Sequence, residues 1–337
     1  MFSLIETLPN QLFVRKERNM NRAISNPFFE NLRSGNLAEL LEAVHNDTSL
    51  VMELRGDRVI IYYRGGALFT VCESADGYQV SYNSAYWGIK KKYPDLSETP
   101  SIKECVDKIA LYKDQMDYHL ANANRTLEKQ CQQRIVQENN ILGKVTSGSA
   151  TTGDYFILDM EYAFDKENSA RFDLIALKWP SLSPNRKVRD NLGISFIEIK
   201  YYDGSMEGDS GVLKHIGDYL AFCQRPEYHD MCRDMEKVFL QKCELGLIPA
   251  YISESSGKKT RISINDEDVD CVFIFANRDP DSTLAKRELS KAIEKYGAEA
   301  TKSIYVATAS DMGYVLFRYG DKGKRDRYIP IADYVEM

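Results

Sequence analysis

The hydrophobic periodicity of the chain changes near residue 140, and this change constrains the fold more than any other feature. From residue 101 to residue 140 the apolar residues recur close to helical spacing, and Ser101-x-x-Glu104 forms a capping box at the start. Three short apolar runs of strand length follow, at residues 155–163, 171–177 and 194–201. The sequence therefore predicts one long helix, continuous or broken, and then three consecutive strands.

The pattern returns to helical spacing after the third strand. A helix is predicted from Ser210 to just before Pro226, and a second helix is predicted at residues 228–245. Further strands are predicted at residues 271–275, 303–308 and 314–319, with a helix between 281 and 297. From residue 101 the predicted order is helix, three strands, helix, strand, which indicates an α/β domain with a mixed central sheet.

The first hundred residues show a different pattern. After a short amphipathic helix at residues 37–45, four β-branched or aromatic runs at 50–54, 59–63, 67–71 and 78–82 are separated by glycine-containing hairpin turns. Three lysines at 90–92, with Pro94 and Pro100, then interrupt the chain. We therefore predict a small α+β module with antiparallel hairpins at residues 1–100 and an α/β domain at residues 101–337.

Composition excludes several classes of protein. The 337 residues include 44 Lys+Arg and 50 Asp+Glu, so the net charge is 44 − 50 = −6, and 43% of the residues are hydrophobic. These values are typical of globular proteins and exclude a disordered or fibrous chain. They also exclude a generally basic, histone-like binder, so any contact with nucleic acid has to come from local clusters of Lys and Arg.

The sequence favours a cytoplasmic protein. The N-terminus lacks the features of a signal peptide, and no apolar stretch approaches the roughly 18 residues of a membrane span, so no membrane partner is expected. The seven cysteines form no C-x-x-C pair, which is typical of buried thiols in a reducing compartment. The oligomeric state stays open, and a homodimer is among the alternatives.

Acidic residues in two of the predicted strands indicate a metal site. Because successive side chains of a strand face opposite ways, Glu198 and Lys200 share one face, and Asp173 lies between the apolar residues Phe172 and Leu174. A buried carboxylate without a partner costs several kcal/mol, and Mg²⁺ between Asp173 and Glu198 would satisfy both. Lys200 could then hold an attacking water and neutralise charge in the transition state.

Asp173 followed by Ile197-Glu198-Ile199-Lys200 on the next strand resembles the motif of the PD-(D/E)xK nuclease superfamily. The resemblance covers residues 101–276 and includes the order of elements, although the proline that often precedes the aspartate is replaced by Phe172. It implies a restriction-endonuclease-like core. It also implies hydrolysis of phosphodiester bonds in a nucleic acid, with DNA as the favoured substrate, Mg²⁺ as the cofactor and Mn²⁺ as a substitute for it. It also implies in-line attack by water without a covalent intermediate.

The resemblance extends to the helices on either side of the strands. Many members carry an acidic residue on the preceding helix, which here matches Glu128, with Glu138 as the reserve. Many also carry Gln-x-x-x-Tyr on the following helix, where this chain has His215 in place of the glutamine. The implied catalytic residues are therefore Asp173, Glu198, Lys200, Glu128 and His215, of which Asp173, Glu198 and Glu128 bind metal, and the adjacent Lys214 contacts nucleic acid.

Two further groups of charged residues have alternative interpretations. The loop between the second and third predicted strands carries Arg186, Lys187 and Arg189, which either bind a phosphate backbone beside Trp179, whose ring would stack on a base, or form a solvated connector. In the first predicted strand, Asp159 and Glu161 either add metal ligands or, as we favour, lie on a solvated face.

Two other functions are compatible with the same sequence. A catalytically silent module with the nuclease-like fold would bind nucleic acid or a protein partner without turnover. Alternatively, the N-terminal hairpins form the working surface of a protein-interaction scaffold, and the acidic residues are structural. The sequence does not distinguish DNA from RNA, or cleavage within a strand from cleavage at an end.

Overall fold

Two β-sheets organise the chain, one with four antiparallel strands and one with six strands in a mixed arrangement. The computed structural model describes residues 21–75, 77–87, 91–118, 126–140, 153–164, 170–180, 185, 187–248, 254–255, 258–259, 261–279, 281–309 and 328–336. The predicted α/β class with a mixed sheet is confirmed. None of the helices in these ranges is long and apolar enough to cross a membrane.

The four-stranded sheet comes from the N-terminal part of the chain, with neighbouring strands in sequence order. Its strands match the four predicted runs to within three residues, because each hairpin turn contains the glycine that the sequence shows. The elements of this part are α1 (Asn26–Ser34), α2 (Ala38–Asn46), β1 (Leu50–Leu54), β2 (Arg58–Tyr63), β3 (Gly66–Ser74), β4 (Gly77–Ser81), α3 (Ile102–Asp107) and α4 (Ile109–Tyr118).

The six-stranded sheet has the order β12-β11-β10-β7-β6-β5. Strands β7, β10 and β11 run parallel, whereas β5, β6 and β12 run antiparallel to their neighbours. The elements of this part of the chain are α5 (Leu127–Asn140), β5 (Tyr155–Phe164), β6 (Ala170–Lys178), β7 (Leu192–Tyr201), α6 (Val212–Cys223), α7 (Pro226–Glu244), β8 (Glu254–Ser255), β9 (Lys258–Lys259), β10 (Ile264–Ala276), α8 (Leu284–Tyr296), α9 (Ala298–Thr301), β11 (Ile304–Ala309), β12 (Tyr328–Pro330) and α10 (Ile331–Glu336). Strands β8 and β9 form a separate antiparallel pair. The predicted strand at 314–319 lies outside the described residues.

The helix predicted over residues 101–140 is broken into α3, α4 and α5. The predicted cap is present, since Ser101 Oγ accepts a hydrogen bond from the Glu104 N–H at 3.1 Å. The break has a packing reason. Tyr112 of α4 is buried in the core of the N-terminal sheet, whereas Ile135 of α5 is buried against the six-stranded sheet. Helices α3 and α4, which follow the predicted boundary at residue 100, therefore share the core of the N-terminal sheet, whereas α5 packs in a different core.

Side-chain alternation in the N-terminal strands covers both faces of the four-stranded sheet. Met52 and Ile61 face the core formed with helices α1 to α4. Val51 and Tyr62, on the opposite face, pack in a cluster with α5 and with Ile197 of the six-stranded sheet. Helix α5 therefore lies in the layer between the two sheets, while helices α6, α7 and α8 cover the far face of the larger sheet.

Hydrogen bonds from the N-terminal module fix the position of α5. Gln133 donates through Nε2 to the Ser49 carbonyl at 2.8 Å and accepts from the Gly65 N–H at 2.5 Å. Gly65 has a φ of +79°, and a Cβ at this position would lie 2.2 Å from the backbone of Lys129. Only glycine permits both the left-handed turn and this close approach.

Buried ion pairs also join the two parts of the chain. Asp159 of β5 accepts from Arg55 Nη1 at 2.5 Å and lies 3.1 Å from Arg22 Nε. Lys242 Nζ of α7 lies 2.7 Å from a carboxylate oxygen of Glu53. Burial disfavours the charged carboxylate of Asp159, yet the two arginines keep its pKa below the usual value. These buried ion pairs thus join the two modules.

The favoured interpretation of Asp159 as part of a solvated face is therefore wrong. Its side chain is 1% exposed, and the register of β5 with β6 shifts between Ile157 and Asp159. Such an irregularity breaks the simple alternation from which the solvated face was predicted. Glu161 is half-buried and pairs with Lys129 at 2.9 Å.

Asp159→Asn is expected to lower the free energy of unfolding by about 3–5 kcal/mol, because it removes the buried carboxylate that pairs with Arg55 and Arg22. Urea unfolding measures this loss. Asp107→Asn is the matched control, since Asp107 forms a surface pair with Lys103 at 3.0 Å and its side chain is 53% exposed. The control should cost less than about 0.5 kcal/mol. Equal losses in the two variants would contradict the structural role of the buried pairs.

Candidate functional site

All five residues implied as catalytic by the sequence line one cavity. The cavity has a volume of about 420 Å³ and also receives side chains from the N-terminal module. Four elements, or the segments beside them, supply the five residues: α5, β6, β7 and α6. The residues are Glu128, Asp173, Glu198, Lys200 and His215.

The cavity opens where strands β6 and β7 separate. Their described pairing runs from Lys178 opposite Gly193 to Leu174 opposite Ile197. Asp173 is the residue before Leu174 on β6, and its side chain accepts a hydrogen bond from the Ile199 N–H at 2.7 Å. A side chain of one strand thus binds a backbone group of the other, which places Asp173 beside the charged residues at the end of β7.

Asp173 has hydrogen bonds on both carboxylate oxygens. Oδ1 accepts from Gln132 Nε2 of α5 at 2.5 Å, and Oδ2 accepts from Ile199. Burial raises the pKa of Asp173 well above its usual value, and the nearby carboxylates of Glu198 and Glu128 raise it further. Burial and the neighbouring carboxylates therefore both favour the protonated, neutral form of Asp173.

Glu198 and Lys200 form a buried ion pair on one face of β7. Lys200 Nζ donates to Glu198 Oε1 at 2.9 Å and to the Ser210 carbonyl at 2.8 Å. The two residues are 5% and 2% exposed, so they are not a surface ion pair. Burial raises the pKa of Glu198 to about 7, with Lys200 opposing the shift and Glu128 adding to it.

Glu128 and His215 approach the same pair from opposite helices. Glu128, in the first turn of α5, is half-buried, and burial raises its pKa although Lys200 and a hydrogen bond from the Tyr201 backbone oppose the shift. His215 Nδ1 lies 3.1 Å from Glu198 Oε1. Burial lowers the pKa of His215 to about 3, and Lys200 lowers it further, so the imidazole is neutral at neutral pH.

The donor set fits a magnesium ion that is bound mainly by substrate and water. Within the described residues, no group of three or more His, Cys, Asp and Glu side chains is placed to hold a metal ion. Mg²⁺ usually takes one or two protein carboxylates and completes its shell with water and phosphate. Asp173 and Glu198 could supply two such carboxylates, since both line the cavity.

The structure does not bring the basic loop to this cavity. The loop joins the end of β6 to the start of β7, so it lies at the end of the hairpin opposite Asp173 and Glu198. The Arg189 guanidinium stacks over the ring of Trp179 at 4.6 Å, and Trp179 is 0% exposed. The expectation that Trp179 stacks on a base is therefore wrong.

Other predicted nucleic-acid contacts also lie elsewhere. Lys187 is exposed, and neither it nor Arg189 lines the cavity. Arg186 lies outside the described residues. Lys214 is exposed on α6 and pairs with Asp218 one turn further on, so it does not line the cavity either. Glu138, the reserve for Glu128, lies 4.0 Å from Arg134 on the same helix.

Sequence reasoning missed the residues that the N-terminal module adds to the cavity wall. Arg55, Arg58 and Tyr62 line it, more than 100 positions before Asp173 in the chain. It also missed the hydrogen bond from Gln132, although Gln132 is one turn after Glu128 on the same helix. No local pattern marks the arginines, because the contact depends on how two sheets pack.

In the absence of divalent cations, Glu198→Gln is expected to change the pH dependence of stability. The pKa of Glu198 is about 7 in the folded chain against an ordinary 4.5, so between these values the folded state binds more protons than the unfolded state. Wild-type stability therefore falls as pH rises through this window, by up to about 3 kcal/mol. The variant lacks this titration.

Urea unfolding between pH 4 and pH 8 measures the difference between variant and wild type. The variant should gain stability relative to wild type from about pH 4.5 to pH 7 and show a constant difference above that range. Glu299→Gln is the control, because the Glu299 side chain is 86% exposed, and it should show no such trend. If the difference in stability between Glu198→Gln and wild type stays constant from pH 4.5 to pH 7, the raised pKa of the buried Glu198 carboxyl is contradicted.

Known proteins give no guide to the role of this cavity. The chain matches no protein-family model, no curated protein and no solved structure. What the cavity does is therefore inferred from the residues around it.

Proposed function

We propose that this protein is a Mg²⁺-dependent nuclease that hydrolyses phosphodiester bonds, with DNA as the favoured substrate. The observation that carries the proposal is the convergence of Asp173, Glu198 and Lys200, from two strands, in one cavity with Glu128 and His215 on its walls. A pair of carboxylates beside a buried ammonium group suits the transfer of a phosphoryl group to water. The two carboxyls have raised pKa values and lie in a cleft, which is typical of a functional site.

The order of elements supports a restriction-endonuclease-like core. Helix α5 precedes the three antiparallel strands β5, β6 and β7, and helix α6 follows them. Strand β10 then pairs parallel to β7. Apart from the additional helix α7 and the short strands β8 and β9 before β10, this is the order helix, three strands, helix, strand that the PD-(D/E)xK resemblance implies.

Asp173 and Glu198 would hold the Mg²⁺, and Mn²⁺ could replace it. Each carboxylate oxygen has more than one lone pair, so the hydrogen bonds from Ile199 and Gln132 leave acceptor capacity on Asp173. When bound, the metal would neutralise charge on the phosphate and lower the pKa of a coordinated water. Glu128, on the cavity wall, would tune the charge of this shell.

Lys200 is oriented for a specific task. An ammonium group has three donors, and two of them are directed at Glu198 and the Ser210 carbonyl. The third is left for the attacking water or for a phosphate oxygen. In the hydrolysis, the water oxygen bonds to phosphorus, the bond from phosphorus to the leaving sugar oxygen breaks, and a proton of the water ends on that oxygen. The fixed ammonium stabilises the charge that develops.

One observation favours a second candidate, a silent module that binds nucleic acid or a protein partner without cleaving. Both oxygens of Asp173 already accept hydrogen bonds, and the described residues offer no group of three or more metal-ligating side chains. Such a module would show salt-sensitive binding and no metal-dependent turnover.

Lys200→Met is expected to lower kcat for Mg²⁺- or Mn²⁺-dependent DNA cleavage by about 10²–10³-fold, because it removes the ammonium that stabilises the transition state. Cleavage of end-labelled DNA and of RNA of the same sequence measures the effect and also decides between these two substrates. Calorimetry with Mn²⁺ and the Asp173→Asn variant tests whether the carboxylates bind metal.

Lys178→Met is the matched control for burial. Lys178 is also a buried lysine of the six-stranded sheet, but it pairs with Asp270 at 3.3 Å, at the opposite end of β6, and does not line the cavity. This variant should have the same kcat as wild type when cleavage is measured below the unfolding temperature of the variant. Equal activity of Lys200→Met and wild type, or wild-type turnover that survives EDTA, would overturn the proposal.

A further inference from the structure

The cavity wall has three chemically different sides. The floor carries the carboxylates of Asp173 and Glu198. One wall comes from strand β2 of the N-terminal sheet, where the apolar side chain of Ile60 is half-buried and Tyr62 is 3% exposed. Arg58 and Arg171 lie on the rim, one from each sheet. An acidic floor, an apolar wall and a basic rim correspond to the metal, base and phosphate contacts of a nucleotide.

The rim arginines differ from the other cations around the cavity. Arg55 is held by Asp159, and Lys129 pairs with Glu161 at 2.9 Å. Arg171 is exposed, and the Arg58 side chain is 28% exposed and 3.3 Å from Asp57, itself at the surface. These two guanidinium groups are therefore placed for contact with a phosphate in solution, whereas the inner cations have structural partners.

The wall formed by the N-terminal sheet is fixed in place. Arg55 and Asp159 pair across the contact between the sheets, and Lys242 of α7 binds Glu53 of β1 at 2.7 Å. Both pairs are buried, so moving the sheet away would separate charges in a dry environment and cost several kcal/mol per ion. The width of the cavity is thus set by the fold.

The volume of the cavity, about 420 Å³, suits a single nucleotide. The volume lies near the lower end of the about 300–1,000 Å³ typical of small-ligand pockets.

We propose that the substrate is single-stranded nucleic acid, an unpaired DNA strand in particular, with its base against Ile60 and its phosphates at Arg58 and Arg171. The inference rests on the proposed nuclease function and adds the class of substrate. A paired base has its faces covered by stacked neighbours, so only an unpaired or extruded base can pack on the wall of β2. The N-terminal module thereby selects the strand that reaches the acidic floor.

The test compares one labelled 20-nucleotide DNA strand with the same sequence as a blunt duplex and as a circular single strand, in Mg²⁺ and in Mn²⁺. We expect kcat/KM for the linear single strand to exceed that for the blunt duplex by at least 100-fold. The circle separates cleavage within a strand from cleavage at an end. Equal cleavage of the duplex interior and the single strand would overturn the inference and leave the nuclease function intact.

Binding distinguishes the inference from the function on which it rests. If no substrate is cleaved, the nuclease function fails, and fluorescence anisotropy in EDTA still compares affinities for the single strand and the duplex. A preference of at least tenfold for the single strand supports the inference. Equal affinity, or a preference for the duplex, overturns it.

Variants of the rim and wall locate the binding surface. Arg171→Ala and Arg58→Ala should each weaken single-strand binding about tenfold and reduce the salt dependence of log Kd by about 0.7 for each phosphate that the variant no longer binds. Ile60→Ala should weaken binding about tenfold without changing the salt dependence, since it removes an apolar side chain. Arg233→Ala is the control, because Arg233 is 65% exposed, pairs with Asp230 and does not line the cavity. An equal reduction of affinity in all four variants would overturn the assignment.

Discussion

The hydrogen bond from the Ile199 N–H to the Asp173 carboxylate is the interaction on which the candidate site depends. It forms just beyond Leu174 and Ile197, where the described pairing of β6 and β7 ends, so a side chain satisfies a backbone donor that a ladder would otherwise use. The separation of the strands leaves room for a cavity in the middle of a sheet. It also places Asp173 near Glu198. Burial raises the pKa of both carboxyls, and the Glu198 carboxylate raises the pKa of Asp173 further.

The N-terminal module completes this site from a distance. It holds α5 through the hydrogen bonds of Gln133 and the close approach at Gly65, and α5 in turn carries Glu128 and Gln132 to the carboxylates. The Arg55–Asp159 pair then fixes the module against β5. Residues that bind no substrate thus determine the dimensions of the cavity, since buried ion pairs resist separation and packed interiors resist deformation.

Much of the fold follows from local patterns in the sequence. The predicted strands at 155–163, 171–177 and 194–201 each lie within a strand of the structure, because periodicity and burial agree there. The alternation of β7 also predicts that Glu198 and Lys200 share a face, and their 2.9 Å contact shows that they do. By contrast, the register shift beside Asp159 breaks the alternation, so its burial between two arginines could not be read from the pattern.

The sequence by itself determined the order of elements, the charged pair on β7 and the unusual carboxylate on β6, since each depends on neighbours within a few residues. Only the tertiary structure decided that the basic loop lies at the far end of its hairpin and that arginines of the N-terminal module face the cavity. These contacts join residues more than 100 positions apart, as between Arg55 and Asp159. Their geometry comes from the packing of two sheets around α5, which no local periodicity encodes.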